Sequence, residues 1–464
     1  MSNTNKKMNK VLLEKSVLID KINGLSDKEI GEKYNINLRK IEQIITKEKG
    51  INVSNINSPK KIRKFSPKDF QLENNTVWSF KSRGNWATHN GNYRGNWSPF
   101  IPRNIILRYS KENDLVLDYF CGSGTTAVEC KLLNRNFIGI DINEKAIELA
   151  KENLNFEYLF GGKVDLRVAD ARNLSFLEDS SVDLICSHPP YSNIINYTYD
   201  NEHDLSHLDT ENFLNEIKKV ADESYRVLKD KKFCAILIGD MRKNKFVVPL
   251  GFWTIEKYLQ AGFKIKEIII KRQHNCKTTG FWYNNSIKYN FLLLAHEYLV
   301  VFQKTDRMNS FDEEKNIADL SFSVIDDIYL ESTSVWIANS SSYLDNAISN
   351  LVKRYSNNFC IYNINYNKTA TLVIYLLDKK FDEFINDIQQ INNNCIVAIL
   401  CNDNRLVNGL VRSEPIFVEQ KLRNNEYLKI KEIIILSLDT INENNITENL
   451  NINHKYLLIY QKVK

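Results

Sequence analysis

The chain of 464 residues predicts an α/β protein built on an open, mostly parallel, doubly wound sheet. Three observations carry that expectation. Apolar strand patterns alternate with helical ones from Leu115 to about Lys304. A glycine-rich turn, Cys121-Gly122-Ser123-Gly124-Thr125-Thr126, joins the first of these strands to a helix. Late segments of the chain repeat earlier ones in the same order.

Composition narrows the class. A chain with 43% hydrophobic and 26% charged residues is long enough for two or three domains and has the balance of a soluble globular protein. No apolar run approaches the roughly 18 residues of a membrane helix, and the Lys- and Asn-rich start is unlike a signal peptide, so a cytoplasmic protein without a membrane partner is expected. The eight cysteines form no C-x-x-C pair and no Cys/His ligand spacing, which reads as reduced, packed thiols. His203 and His207 lie four apart without a carboxylate motif, so no metal site is predicted. The net charge of +5 is uneven: residues 1–74 carry 16 Lys/Arg against 9 Asp/Glu, as befits a module that meets a polyanion.

Element by element, Ser26-Asp27-Lys28-Glu29 is a capping box that opens a helix ending near Tyr34. After the turn Asn35-Ile36-Asn37, a second helix from about Leu38 to Lys47 sets Leu38, Ile41, Ile44 and Ile45 on one face and Arg39, Lys40, Gln43 and Lys47 largely on the other. The pair has helix-turn-helix form, whose second helix would enter a major groove of double-stranded DNA. Residues 1–50 are therefore read as a helix-turn-helix-like basic module and 51–77 as a linker. From Trp78 to Ser110, tryptophans, glycines, Asn and Arg interleave, which suits an ordered loop beside a ligand. The strands are expected at 115–119, 137–141, 165–168, 182–187, 233–239, 264–270 and 296–303, within a catalytic domain spanning 78–306. In residues 307–464, Lys264–Ile270 recurs as Lys429–Ile435, His296–Lys304 as His454–Lys462, and Ala235-Ile236-Leu237 as Ala398-Ile399-Leu400. Because neither a second glycine-rich turn nor a second Pro-Pro-Tyr occurs between 305 and 380, this part reads as a degenerate α/β copy without cofactor or catalytic motifs.

The chemistry sits at strand ends. Val116-Leu117-Asp118 runs into the glycine turn, where the backbone can pass close to a ligand and a helix start offers free N–H groups. Phe137-Ile138-Gly139-Ile140 ends in Asp141, about 20 residues on, where a carboxylate reaches the ribose hydroxyls of a nucleoside cofactor. Asp170 suits a hydrogen bond from an adenine amine. A further strand, Val182–Cys186, leads into Ser187-His188-Pro189-Pro190-Tyr191. A side-chain acceptor and the first proline's carbonyl can bind the two N–H groups of an exocyclic amine, while the aromatic ring stacks on a base flipped from the duplex.

The spacing D-x-x-x-G-x-G resembles class I S-adenosylmethionine-dependent methyltransferases, and Ser187–Tyr191 resembles the Asp/Asn/Ser-Pro-Pro-Tyr/Phe motif of the DNA N4-cytosine and N6-adenine amino-methyltransferase family. Trp97-Ser98-Pro99-Phe100-Ile101-Pro102-Arg103-Asn104 resembles that family's further cofactor motif, and the likeness spans roughly residues 78–304. It departs at His188, where the family carries Asp, Asn or Ser; a neutral imidazole can still accept one hydrogen bond. The resemblance implies a Rossmann-like methyltransferase sheet, S-adenosyl-L-methionine as cofactor, and duplex DNA as substrate in a restriction–modification setting with a cognate restriction endonuclease as partner. Cofactor contacts would come from Pro102, Asp118, Phe120, Gly122, Gly124, Thr125, Asp141, Ile142, Asp170 and Ala171, and the base clamp from Ser187, His188, Pro189, Pro190 and Tyr191. Only some 16 residues separate Asp170 from Ser187, so sequence reading falls to Arg39, Lys40, Gln43 and Lys47, to the segment with Lys271, Arg272 and Lys277, or to the C-terminal domain.

The seryl hydroxyl beside Pro-Pro-Tyr leans the reading to cytosine N4 over adenine N6. Two alternatives stay open: an RNA or tRNA amino-methyltransferase, since similar motifs modify guanine in tRNA, and a catalytically weak DNA-binding subunit in which His188 marks the lost group.

Overall fold

The computed structural model describes residues 13–21, 23, 25–37, 40, 41, 44, 59–158, 161–198, 201–274, 279–306, 323–325, 328–339, 341–362, 366–378, 380–439 and 447–464. They divide into two compact units, one of residues 1–61 with 155–157 and one of 62–154 with 158–464.

In the smaller unit, residues 13–21 are helical and a second helix spans Asp27–Tyr34. The capping box forms as its sequence requires: Glu29 N–H donates to the Ser26 hydroxyl, and the Ser26 N–H donates to the Glu29 carboxylate. Asn35 ends the helix in the left-handed region. Val17, Ile30, Ile41 and Ile44 make a small core, so the apolar face expected of the following helix is buried at Ile41 and Ile44. Lys40 is half-buried; Arg39, Gln43 and Lys47 lie outside the described residues.

The larger unit opens with strand β1 (Val77–Trp78), the helix Phe100–Tyr109, β2 (Leu115–Asp118), β3 (Asn136–Asp141), β4 (Val164–Val168), β5 (Val182–Ser187), β6 (Leu228–Ile238), the hairpin β7 (Met241–Lys243) and β8 (Phe246–Val248), β9 (Lys264–Arg272) and β10 (His296–Gln303). Eight of these form one sheet in the order β1-β9-β10-β6-β5-β2-β3-β4, parallel except for β10. Every residue of β5 is buried, as an apolar strand covered on both faces should be. All seven strands expected from the sequence are present, with ends shifted by a few residues and β6 starting five residues early. The expected linker ends sooner than 77: residues from 62 onward pack with the larger unit, where Glu73 N–H donates to Asn104 and Val77 pairs with Ile270.

A second sheet follows: β11 (Val335–Asn339), β12 (Phe359–Ile361), β13 (Leu372–Leu376), β14 (Ile396–Cys401), the hairpin β15 (Asp403–Arg405) and β16 (Val411–Ser413), β17 (Leu428–Asp439) and β18 (His454–Lys462). Its six main strands run β11-β17-β18-β14-β13-β12, the order of β1-β9-β10-β6-β5-β2, with β18 again the antiparallel member. Among the described residues it has no counterparts of β3 and β4. The sheets share one compact unit, so residue 306 is no boundary between separate bodies.

Side chains at their junction are exchanged reciprocally. Arg242 donates to the Glu432 carboxylate and to the carbonyls of Leu292 and Lys431; Arg405 donates to the Glu267 carboxylate and to the carbonyls of Leu450 and Lys266. Glu432 also accepts from Leu292 N–H, and Glu267 from Leu450 N–H. His296 Nδ1 meets the Ser334 hydroxyl at 2.8 Å, and His454 Nδ1 meets Thr76 at 2.7 Å. Each half supplies the partner for the other half's buried charge. No described helix is long and apolar enough to cross a membrane.

Both glutamates are fully covered by the protein. Glu432→Ala strands Arg242 with a buried, uncompensated charge and should destabilise the larger unit by about 3–5 kcal/mol. A urea unfolding midpoint equal to that of the parent would contradict the assignment of this junction.

Candidate functional site

The carboxyl ends of β2, β3 and β4 lie side by side because the three strands pair in parallel. They bring Asp118, Asp141 and, two residues past β4, Asp170 to one cavity, whose lining includes Phe120, Gly122, Ile142 and Ala171 as the sequence predicts. Gly122 adopts φ +48, and a Cβ there would stand 3.1 Å from the Tyr93 ring, so the turn needs a residue without a side chain. Pro102, Gly124 and Thr125, expected to contact the cofactor, are not among the residues that line this cavity. Pro102 is buried in the helix Phe100–Tyr109, Gly124 packs on Ala150, and the Thr125 hydroxyl donates to Asn96. They hold the cradle from behind.

The acids differ in charge behaviour. Burial pushes the Asp118 carboxyl up to about 6, against hydrogen bonds from Ser187, Thr126 and the Phe120 N–H. Burial likewise raises Asp141 to about 6, although its oxygens accept from Asn143 and Gly122 N–H. Asp170 is partly buried, which alone would raise it, but the Arg172 guanidinium grips both its oxygens and holds it below its ordinary value.

The second motif leaves β5 beside this cavity. Ser187 turns inward: fully buried, its hydroxyl donates to Asp118 Oδ1 at 2.6 Å. The role expected for Ser187 on a base is thereby corrected, because its proton is engaged and it lines neither cavity. His188 takes the open position. Its ring stacks on Trp97 at 5.5 Å, and its Nε2 lies 2.9 Å from the Tyr191 hydroxyl. Burial lowers the imidazole to about 4, so it is neutral near pH 7. The Tyr191 hydroxyl donates to Glu297 Oε1 at 2.8 Å, and its ring lies on Gly239, where a Cβ would come within 2.8 Å.

Beyond Tyr191 opens a cleft of about 1010 Å³, lined by Pro189, Tyr191, Lys81, Arg94, Lys245, Arg272, His274 and Trp282 among others. Trp97 and His188 line both this cleft and the acidic cavity, while Pro190 faces the latter. Lys271, expected as a nucleic-acid contact, lines the cleft, and its ammonium is paired with Glu297 at 2.7 Å. Lys277 lies outside the described residues. His203 lines the acidic cavity and His207 bonds the Thr198 carbonyl, so the two do not act together.

Several lining residues went unpredicted. Tyr93, Asn96, Tyr197 and Asp204 surround the acidic cavity. The first two belong to the aromatic- and glycine-rich stretch, whose composition signals a ligand loop without saying which side chains face it. Glu297 had a readable sign: where the repeated segment has His454-Lys455-Tyr456, this one has His296-Glu297-Tyr298.

Residues 6–152 match the family model described as DNA methylase, and residues 110–268 match one described as methyltransferase domain. The first match starts at residue 6, well ahead of the segment from 78 to which the motifs assign the likeness. The type II methyltransferase M.HpaI of Haemophilus parainfluenzae is 40% identical over 129 residues, covering 27% of this chain and 38% of that protein. M2.LlaDCHI of Lactococcus lactis subsp. cremoris, also a type II methyltransferase, is 42% identical over 88 residues, 18% of this chain and 32% of that one. A tRNA (guanine(10)-N2)-dimethyltransferase of Methanothermobacter thermautotrophicus is 36% identical over 102 residues, 21% of this chain and 29% of that one. The chain thus spans less than two fifths of the length of each of these relatives. The resemblance to DNA amino-methyltransferases is borne out, and the cofactor that this resemblance implies is S-adenosylmethionine.

The cavity's chemistry fits that cofactor. A ligand with an ammonium, two ribose hydroxyls and an adenine amine is rich in donors, and Asp118, Asp141 and Asp170 present acceptors along one edge. Such donors favour the ionised carboxylates. With Asp118 and Asp141 titrating at about 6, both are ionised above that pH and protonated below it. Affinity for S-adenosylmethionine should therefore rise with pH through 6, and below it fall by up to about tenfold per pH unit for each group. Calorimetry between pH 5 and 8 tests this; an affinity flat across that range would refute it.

Proposed function

We propose that this chain, part of which resembles the DNA amino-methyltransferase family, transfers a methyl group to the exocyclic amine of cytosine or adenine in duplex DNA. The observation that supports it most is the pair Trp97 and His188, each lining both the acidic cavity and the open cleft. A methyl donor on one side and an amine on the other meet across that pair, within reach of in-line transfer.

When bound, S-adenosylmethionine supplies an electrophilic methyl group on a cationic sulfur. The chain's residues do the rest. Asp141 holds the ribose hydroxyls, Asp118 offers its remaining lone pairs to the methionine ammonium, and Asp170, fixed by Arg172, faces the adenine amine. His188 and the Pro189 carbonyl accept the two N–H groups of the target amine, orienting its lone pair toward the methyl group. A neutral imidazole serves here, whereas a charged one would repel the partly positive amine hydrogens. Tyr191 stacks on the extruded base, and Gly239 lets its ring lie flat against the strand end. Lys81, Arg94, Lys245 and Arg272 give the cleft the cations that phosphates require. Lys40 and the basic N-terminal module add a second surface for the polyanion.

The second sheet is read as a degenerate copy of the first. Residues 362–371 join β12 to β13, where residues 119–181 join β2 to β5, so the whole cofactor cradle is missing from it. Its part in the function is to complete the fold of the catalytic half.

With labelled S-adenosylmethionine, methyl groups should enter duplex DNA at one short sequence, and modified-base sequencing names the atom. Tyr191→Ala should keep cofactor affinity within about twofold and lower methylation by on the order of a hundredfold, in line with the value of base stacking. Gly239→Ala, which drives a methyl into the Tyr191 ring, should lower it as well. Label found in tRNA and never in DNA would replace this reading with the RNA one; cofactor binding with no transfer to any nucleic acid would replace it with a DNA-binding subunit.

A further inference from the structure

A chain of four side chains runs under the base clamp. Lys271 and Glu297 face each other directly across β9 and β10, and Lys271 Nζ donates to Glu297 Oε2 at 2.7 Å. Glu297 is 7% exposed, and its Oε1 accepts the Tyr191 hydroxyl at 2.8 Å. That hydroxyl in turn lies 2.9 Å from His188 Nε2. A carboxylate only accepts, so the single proton of the Tyr191 hydroxyl is committed to Glu297. The contact with His188 then has one solution: Nε2 carries the proton and donates to the tyrosine oxygen. A neutral imidazole holds one N–H, so Nδ1 is left with a bare lone pair.

We propose that Glu297, fixed by Lys271, is a positioning residue that sets the tautomer of His188 through Tyr191 and so makes Nδ1 the acceptor for the target amine. The proposal rests on the reading of His188 as that acceptor. It explains how histidine can stand where the family has Asp, Asn or Ser. Those side chains always present an oxygen; an imidazole presents an acceptor only if its proton is held elsewhere. The repeated half carries a control. It keeps His454 and Tyr456 in the positions of His296 and Tyr298, but has Lys455 in place of Glu297 and Leu436 in place of Lys271. The ion pair is present in the half with the Pro-Pro-Tyr motif and lacking in the half without it.

Glu297→Gln tests the direction of the chain. Lys271 claims the one amide oxygen, the amide N–H₂ donates to the tyrosine oxygen, and the Tyr191 hydroxyl turns to donate its hydrogen bond to His188 Nε2, which must then be the unprotonated nitrogen. Nδ1 then carries hydrogen and meets the amine as a second donor. In the full chain with ¹⁵N-labelled histidine, long-range ¹⁵N–¹H spectra should show His188 with Nδ1 unprotonated, its signal assigned among the seven histidines by its loss in His188→Asn. Glu297→Gln should move that signal toward Nδ1-protonated and lower kcat by on the order of tenfold or more, leaving the KM for S-adenosylmethionine unchanged. In a His188→Asn background the same change should cost less than about twofold, because the asparagine oxygen accepts whatever the tyrosine does. Tyr191→Phe, which cuts the chain without adding an amide, should give a mixture of both tautomers. An unaltered His188 signal in Glu297→Gln, or an equal loss of kcat in both backgrounds, overturns the proposal. The spectra need neither cofactor nor nucleic acid. Transfer to RNA instead of DNA would strike the proposed function and leave this inference standing.

Discussion

The bond from the Ser187 hydroxyl to Asp118 is the constraint on which the site depends. Asp118 ends β2, Ser187 ends β5, and the two strands are neighbours in the sheet. Both side chains are buried, and the Phe120 N–H adds itself to the pair by donating to each of them. A hydrogen bond to a buried carboxylate contributes roughly 1.5–3 kcal/mol, and leaving the carboxylate without it costs more. The bond thus fixes where two chain segments depart from the sheet: the glycine turn on one side, His188-Pro189-Pro190-Tyr191 on the other. Without it, cradle and clamp would be two loops with independent positions. With it they share a rim, where Trp97 and His188 line both the acidic cavity and the open cleft.

The second constraint acts from the far side. Two sheets whose shared strands run in the same order trade buried charges at their junction, Arg242 to Glu432 and Arg405 to Glu267. Neither glutamate has an arginine of its own half within bonding reach among the described residues, so each half is incomplete alone. β9 and β10, which frame the clamp through Lys271 and Glu297, are also the strands that carry this junction through Glu267 and His296. Among the described residues, the strands of the second sheet match β1, β9, β10, β6, β5 and β2 in order, with no match to β3 and β4, which in the first sheet carry Asp141 and lead to Asp170.

Read as text, the chain determines the periodic features. Alternating apolar runs of four to nine residues, punctuated by Gly122, Gly124 and Pro189-Pro190, suffice to predict the parallel sheet, because a strand buried on both faces has few other ways to be written. The acids at strand ends follow from the same logic: in such a sheet the carboxyl edge is where ligands bind, so Asp118, Asp141, Asp170 and His188 are legible as a group before any distance is known. The capping box at Ser26 is legible because it is local.

What only the tertiary structure decided is which atoms are free. Ser187 and His188 are adjacent in the chain, and on a strand successive side chains point to opposite faces, so one is spent on Asp118 while the other meets the cleft; sequence leaves open which. That Lys271 stands directly across from Glu297 and pairs with it is set by the register of β9 and β10. Arg242 and Arg405 are paired only by the structure, each against a glutamate of the other half, at 190 and 138 positions' remove in the chain. Hydrogen-bond partnership across such separations depends on sheet order and on how two sheets pack, and a one-dimensional pattern holds neither.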